Sequence, residues 1–179
     1  LMKLYIVRHG ETDWNKNKMM QGNTDIPLNQ NGINQALNIS KLLEDRNIDI
    51  CYSSPLSRAY ETAKLITDNS NIIIDKRLEE RELGEFEGKS CNLYDTHYYW
   101  DRKINSSSYG VESANDLIIR VKSFYDELKE KYKDRDLNIL IVTHGAIVRS
   151  LNFIIEGYDE NTDFASFDVP NCHVFEYKI

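Results

Sequence analysis

The run Leu4-Tyr5-Ile6-Val7 is short, apolar and partly β-branched, and it stops abruptly at Arg8-His9-Gly10-Glu11-Thr12. Such a run reads as a buried strand that delivers its chemistry at the carboxyl end. In open α/β sheets ligands collect at that end, which puts Arg8 and His9 on the floor of a crevice; Gly10 is expected to let the backbone approach a ligand. The pattern recurs late in the chain. Leu137 to Val142 is the clearest core strand, ends in Thr143-His144-Gly145-Ala146 and passes into an apolar helix through about Ile155. Either histidine alone reads equally well as a hydrogen-bonded structural group, but two strand-end histidines with arginines nearby point to one shared site.

Between these strands the chain alternates helix and strand. Asn29 is a plausible N-cap for a helix with Ile33, Ala36, Leu37 and Leu43 on its buried stripe, to about Asp45. The polar stretch before it, Asp13 to Leu28, carries Asn15, Gln21, Gly22 and Pro27 and reads as an ordered loop wrapping the crevice, its amides within reach of a ligand. Ile48 to Ser53 is a second strand, and Ser54-Pro55 supplies an N-cap followed by proline in the first helical position. Leu56, Ala59, Ala63 and Ile66 mark that helix to about Asp68. Arg58 falls in its first turn, where the macrodipole disfavours a cation by some tenths of a kcal/mol. A local rule broken at one residue points to function.

Ile72 to Ile74 is a third strand, followed by an acidic loop, Leu78 to Gly88, containing Glu79, Glu80, Glu82, Glu85 and Glu87. Ser90 to Tyr109 is rich in aromatics without a sheet pattern and reads as an excursion over the crevice. Its Tyr94, Tyr98, Tyr99 and Trp100 form either a substrate-facing cover or part of the core. Ser113 with Asp116 opens a helix in capping-box fashion, with Leu117, Ile118, Val121, Phe124, Tyr125 and Leu128 as its buried stripe. Phe164 to Val169 and His173 to Tyr177 read as two further strands. No repeat or linker interrupts the chain, so residues 1–179 read as a single domain.

A net charge of -7 argues against a nucleic-acid or anionic-membrane surface, since either needs clustered Lys and Arg. Any anion bound here must therefore meet a local cationic pocket. Three scattered cysteines, Cys51, Cys91 and Cys172, form no CxxC pair, so a disulfide framework or structural zinc site is not expected and a reducing cytoplasm fits best. Leu1 to Val7 is too short for a signal peptide, and no apolar run reaches the roughly 18 residues of a membrane span. Two arginines and two histidines converging in an acidic chain suit a phosphate monoester, because phosphoryl transfer rests on positioning and on stabilising the equatorial oxygens. A metal is the rival reading of two histidines, but the arginines repel a cation and no carboxylate stands at ligand spacing beside either histidine.

The ordered set of motifs resembles the histidine phosphatase superfamily, the phosphoglycerate-mutase-like enzymes. Its pieces are Arg8-His9-Gly10-Glu11-Thr12 with Asn15, Gln21-Gly22 leading to Pro27-Leu28, Ser53-Ser54-Pro55-Leu56-Ser57-Arg58-Ala59 with Thr62-Ala63, Leu78 to Gly88, Gly110-Val111-Glu112-Ser113, and Thr143-His144-Gly145. The resemblance implies a three-layer α/β/α sandwich with a mostly parallel sheet and one antiparallel edge strand. It implies that His9 is the nucleophile that becomes phosphorylated, that Arg8, Arg58 and His144 hold the phosphoryl oxygens, and that Glu80 gives a proton to the leaving oxygen. Asn15, Gln21, Gly22 and Gly145 complete the substrate pocket, and no cofactor or metal is needed. Mutases of this type usually carry a longer insertion after the Gly88 position; here a short aromatic stretch separates Gly88 from Gly110, and Phe86 stands where Trp is common in the smaller phosphatases. That favours a phosphatase of small phosphorylated metabolites over a phosphoglycerate mutase. A phosphate-binding regulatory module without turnover is the reading from a different class.

Overall fold

The computed structural model describes all 179 residues, and alternation along β1 (Met2–Arg8) decides the architecture. Leu4 and Ile6 face one side, Tyr5 and Val7 the other, and all four are essentially solvent-free. A strand buried on both faces needs a helical layer on each. On one face Leu4, Ile6, Ile139 and Ile141 pack against α5 (Ala114–Lys131) and α6 (Gly145–Glu156). On the other, Tyr5, Val7, Leu140 and Val142 pack against α2 (Gln30–Leu42) and α3 (Ser57–Thr67). The sheet runs β3 (Ile72–Ile74), β2 (Ile50–Ser53), β4 (Leu137–Thr143), β1, β5 (Val174–Lys178). All neighbours are parallel except β1 with β5. The fold is therefore the three-layer sandwich that the resemblance implies, with β5 as the antiparallel edge.

Register aligns the strand ends. Arg8 lies opposite Thr143 and Ser53 opposite Val142, so Arg8-His9, Thr143-His144 and Ser53-Ser54 emerge side by side at one edge of the sheet.

Three local expectations are corrected. Phe164 to Val169 is not a strand: Phe164–Ser166 is a single 3-10 turn, and β5 is the one strand of the C-terminal segment. The Phe164 ring is drawn into the core between Trp100, stacked at 5.6 Å, and Phe153 at 4.4 Å, while Asp163 caps the turn through Ala165 N. The Ser54-Pro55 cap is displaced, because α3 begins at Ser57. Asp25 substitutes from across the chain, accepting from Ser57 N at 2.8 Å and Ser57 Oγ at 2.7 Å, while Ser54 Oγ accepts from Leu56 N at 3.2 Å and turns toward the crevice. The loop after β1 contains a one-turn helix, α1 (Asp13–Lys16), closed by a Thr12–Asn15 capping box. The cap at Asn29 and the cap at Ser113 hold as expected.

Candidate active site

The three strand ends bring His9, His144 and Arg58 into contact. His9 is 1% exposed and its Nδ1 lies 2.7 Å from Gly10 O, so Nδ1–H donates to that carbonyl and Nε2 keeps the lone pair. Arg58 Nε donates to that Nε2 at 3.3 Å. The His9 and His144 rings meet edge to face at 5.1 Å. Burial, with Arg58 and Arg8 close by, holds the His9 imidazole well below its ordinary range; burial and Arg58 do the same for His144. Both rings are therefore neutral near pH 7, which a nitrogen nucleophile requires.

Arg58 is wholly buried, against the usual preference of arginine. Its Nη1 donates to Thr24 O and its Nη2 to Gly22 O, both at 2.6 Å. Each charge-assisted bond contributes about 1.5–3 kcal/mol, which outweighs the few tenths lost to the α3 dipole. Burial lowers its pKa to about 10, still above neutral pH. Gly22 thus contributes its carbonyl to the arginine; its backbone sits at φ +52°, which suits glycine. Arg8 donates from Nη1 to Val169 O at 2.7 Å, while its Nε is buried without a partner. Burial lowers its pKa and Glu80 opposes that effect. His144 Nε2 is 2.8 Å from Ser54 Oγ, and its Nδ1 is likewise buried and unpartnered. Two orphaned buried nitrogens in one pocket, that of Arg8 always a donor, are costly unless a ligand pairs with them.

Among the five loop glutamates, Glu80 is the one whose carboxylate faces this crevice. Its Oε1 accepts from Arg81 N at 2.8 Å, and its Oε2 lies 3.4 Å from Ala146 N at the start of α6. Glu87 is engaged elsewhere, accepting from Thr24 N, Thr24 Oγ1 and Leu83 N, which ties the two loops together. Glu82 and Glu85 are exposed. A methyl group on Gly145 would lie 3.7 Å from Arg8 Nε and 3.8 Å from Glu80 Oε2, so the absence of a side chain there keeps open the space between acid and cation. Gly10 serves differently from expectation. A Cβ on Gly10 would come within 2.5 Å of Gly32 O, so this glycine permits the close crossing of the loop over α2 and is not reserved for a ligand.

Asn15 and Gln21 flank the pocket through Thr12, whose N and Oγ1 donate to Asn15 Oδ1 and Gln21 Oε1 respectively. Asn171, which sequence reasoning did not single out, bridges them to the strand end by donating to His9 O at 3.0 Å and to Asn15 Oδ1 at 3.3 Å. It lies just after Pro170 with no local signal, and its role depends on the fold bringing it back. The aromatic stretch, which holds the short helix α4 (Thr96–Trp100), divides: Tyr94 and Trp100 line a cavity with Arg8, Glu80 and Gly145, whereas Tyr99 is buried with Leu83 and Val111, and Tyr98 is exposed and does not line that cavity. No helix is long and apolar enough to cross a membrane.

Neutral imidazole, converging guanidiniums and a nearby carboxylate form a phosphoryl-transfer constellation, and comparison with known proteins agrees. The family model of histidine phosphatase superfamily (branch 1) matches residues 4–179. The uncharacterized phosphatase PhoE of Bacillus subtilis is 34% identical over 178 residues, covering 97% of this chain and 89% of that protein. A phosphoserine phosphatase variant from Entamoeba histolytica, solved in complex with phosphoserine, superposes with a TM-score of 0.84 at 27% identity, covering 98% of this chain and 90% of that one. The mycobacterial glucosyl-3-phosphoglycerate phosphatase, solved with VO3, gives a TM-score of 0.83 at 26% identity, covering 97% and 91%. The chain belongs to the histidine phosphatase superfamily, branch 1, and is a phosphatase of small phosphorylated metabolites.

Proposed function

We propose that the protein hydrolyses small phosphate monoesters through a phosphohistidine at His9. The observation that carries this reading is the disposition of His9 itself: Nδ1 is fixed on Gly10 O and Nε2 faces Arg58. An entering phosphate dianion accepts from Arg58 Nε and so releases the Nε2 lone pair. Nε2 then attacks phosphorus in line, and the bond to the leaving oxygen breaks as Glu80 delivers its proton there. In the second half, the Glu80 carboxylate takes a proton from water, whose oxygen attacks phosphorus, releasing phosphate and restoring Nε2. Arg8, Arg58 and His144 stabilise the equatorial oxygens. With Ser54 donating to His144 Nε2, the free Nδ1–H can donate to one of them. Asn15, Gln21, Gly22 and Gly145 shape the pocket around the phosphoryl group, within one domain spanning residues 1–179 that works in the cytoplasm.

The uncatalysed reaction is slow enough to need up to about 10²¹-fold acceleration, and splitting it into two displacements divides that task. Charge neutralisation by guanidiniums also predicts that chelators leave the rate unchanged. A panel of metabolite phosphates scored for released phosphate, with and without 2,3-bisphosphoglycerate, tests the reading. Hydrolysis independent of the bisphosphate supports it; phosphoryl transfer between positions of phosphoglycerate without net release would replace it with a mutase. No turnover of any ester, including aryl phosphates, would leave only a binding module.

A further inference from the structure

The peptide group that follows His9 is held at both ends by side chains to which phosphoryl transfer assigns no part. Its carbonyl, His9 O, accepts from Asn171 Nδ2 at 3.0 Å, and its N–H, on Gly10, donates to Thr62 Oγ1 at 3.0 Å. Thr62 stands one turn after Arg58 on α3, wholly buried, and donates its own hydroxyl to Arg58 O at 2.7 Å. Asn171 reaches the same peptide from the segment that enters β5, and its neighbours fix its place. Val169 is buried in the core under α5 and α6, and Cys172 in the core under α2 and α3. Arg8 Nη1 donates to Val169 O at 2.7 Å and Cys172 N donates to Arg8 O at 2.9 Å, so the segment is tied to the strand end that carries His9. Cys172 holds φ +53°, a conformation that a side chain tolerates where its surroundings impose it.

The clamped peptide governs the ring. His9 Nδ1–H donates to Gly10 O, one peptide further on, so the imidazole is oriented by a carbonyl whose own position the clamped peptide sets. Nε2 lies across the ring from that bond, and a tilt of the peptide swings it off line. A misplacement of about 1 Å can cost about 10²-fold in rate. We propose that Asn171 and Thr62 are positioning residues that clamp the His9–Gly10 peptide from two separate elements and so aim Nε2 at phosphorus. Both act through His9, so the proposal deepens the phosphohistidine reading and rests on it.

The test uses Thr62→Val, which keeps the shape and removes the hydroxyl, and Asn171→Leu, which removes the donor without adding charge, alone and together. Each single variant should lower kcat roughly 10- to 100-fold. The fall should be the same for an alkyl phosphate and for p-nitrophenyl phosphate, because attack by Nε2 is common to both. Vanadate, which bonds to Nε2 in place of phosphorus, should inhibit correspondingly more weakly, whereas inorganic phosphate, held by Arg8 and Arg58, should inhibit as before. Thr62→Ser and Asn171→Gln, which keep the acceptor and the donor, should recover much of the loss. Since both side chains hold one peptide, the double variant should lose little more than the worse single one. Asn171 is only partly buried, so Asn171→Leu decides the matter even where Thr62→Val folds poorly. Full kcat in Asn171→Leu, vanadate and phosphate weakened together, or losses that multiply in the double variant overturns the proposal while leaving the phosphatase standing. A wild-type enzyme that turns over with no phosphoryl label on His9 would instead sink the reading beneath it.

Discussion

Replacing Glu80 with Gln separates two effects of opposite sign. The amide keeps the size of the side chain and an acceptor for Arg81 N, but it supplies neither proton nor charge. General acid catalysis contributes about 10²–10⁴, so kcat/KM for an alkyl phosphate, whose alkoxide needs the proton, should fall by about 10² or more, about 2.7 kcal/mol in barrier. p-Nitrophenolate leaves unaided, and that substrate should lose less than about tenfold. Meanwhile Glu80 is the opposing charge for Arg8, Arg58, Arg81 and Arg149. Arg8 Cζ and Glu80 Oε2 each lie 3.8 Å from the point where a Gly145 methyl would sit. The two charges are thus no more than about 7.6 Å apart, and at an effective dielectric of about 20 they interact by about 2 kcal/mol or more before salt screening. Without Glu80 the pocket is more positive, so inorganic phosphate and vanadate should inhibit several-fold more tightly. Steady-state kinetics on both esters, with phosphate inhibition constants, reads both effects, and Glu82→Gln at an exposed position serves as the control. Equal losses on the two esters with weakened phosphate inhibition would refute the assignment. Leaving-group sensitivity in Glu82→Gln and not in Glu80→Gln would move the acid two residues along.

Three further outcomes follow from the same geometry. Because His9 and His144 are held below their ordinary pKa, the unfolded chain binds more protons below about pH 6.5, so stability should decline as pH falls from there by up to about 1.4 kcal/mol per pH unit for each. Urea titrations at pH 7 and 5 measure this, and His144→Gln should reduce the slope by about half; a flat profile contradicts the neutral buried pair. Gly145→Ala, in the first turn of α6, should hold or raise stability by about 0.5–1 kcal/mol while raising KM, since the methyl enters the space between Arg8 and Glu80; an unchanged KM in kinetics alongside thermal melting counts against that space being the substrate's. Arg58→Lys leaves the carbonyls of Gly22 and Thr24 with one donor group between them, so it should cost about 1–3 kcal/mol of stability together with most activity; a variant with full melting temperature and full turnover excludes Arg58 from the pocket.

The sheet, both helical layers and the strand-end histidines were legible because each rests on local periodicity in runs such as Leu4 to Val7 and Leu137 to Val142. The broken helix rule at Arg58 was readable for the same reason, since dipole and position are local. The Ser54 cap failed because Asp25, thirty-two residues before Ser57, caps the helix instead, leaving Ser54 to accept from Leu56 N and to reach His144. Phe164 to Val169 looked like a strand because its apolar residues are needed by the main core, where Phe164 and Val169 pack with Trp100, a demand set by tertiary packing. Asn171 and the buried, unpartnered Nη1 of Arg81 could not be read from spacing at all, because unsatisfied donors are a property of the folded surroundings.

The central claim is covalent transfer to His9, and trapping tests it most directly. Enzyme mixed with a phosphate monoester and quenched in base should carry one acid-labile phosphoryl group, localised by peptide mass spectrometry to His9 and absent from His9→Ala, which should also lack turnover. His144→Ala should slow turnover and leave any label on His9. Substantial turnover by His9→Ala, or a label found on His144, would contradict the account.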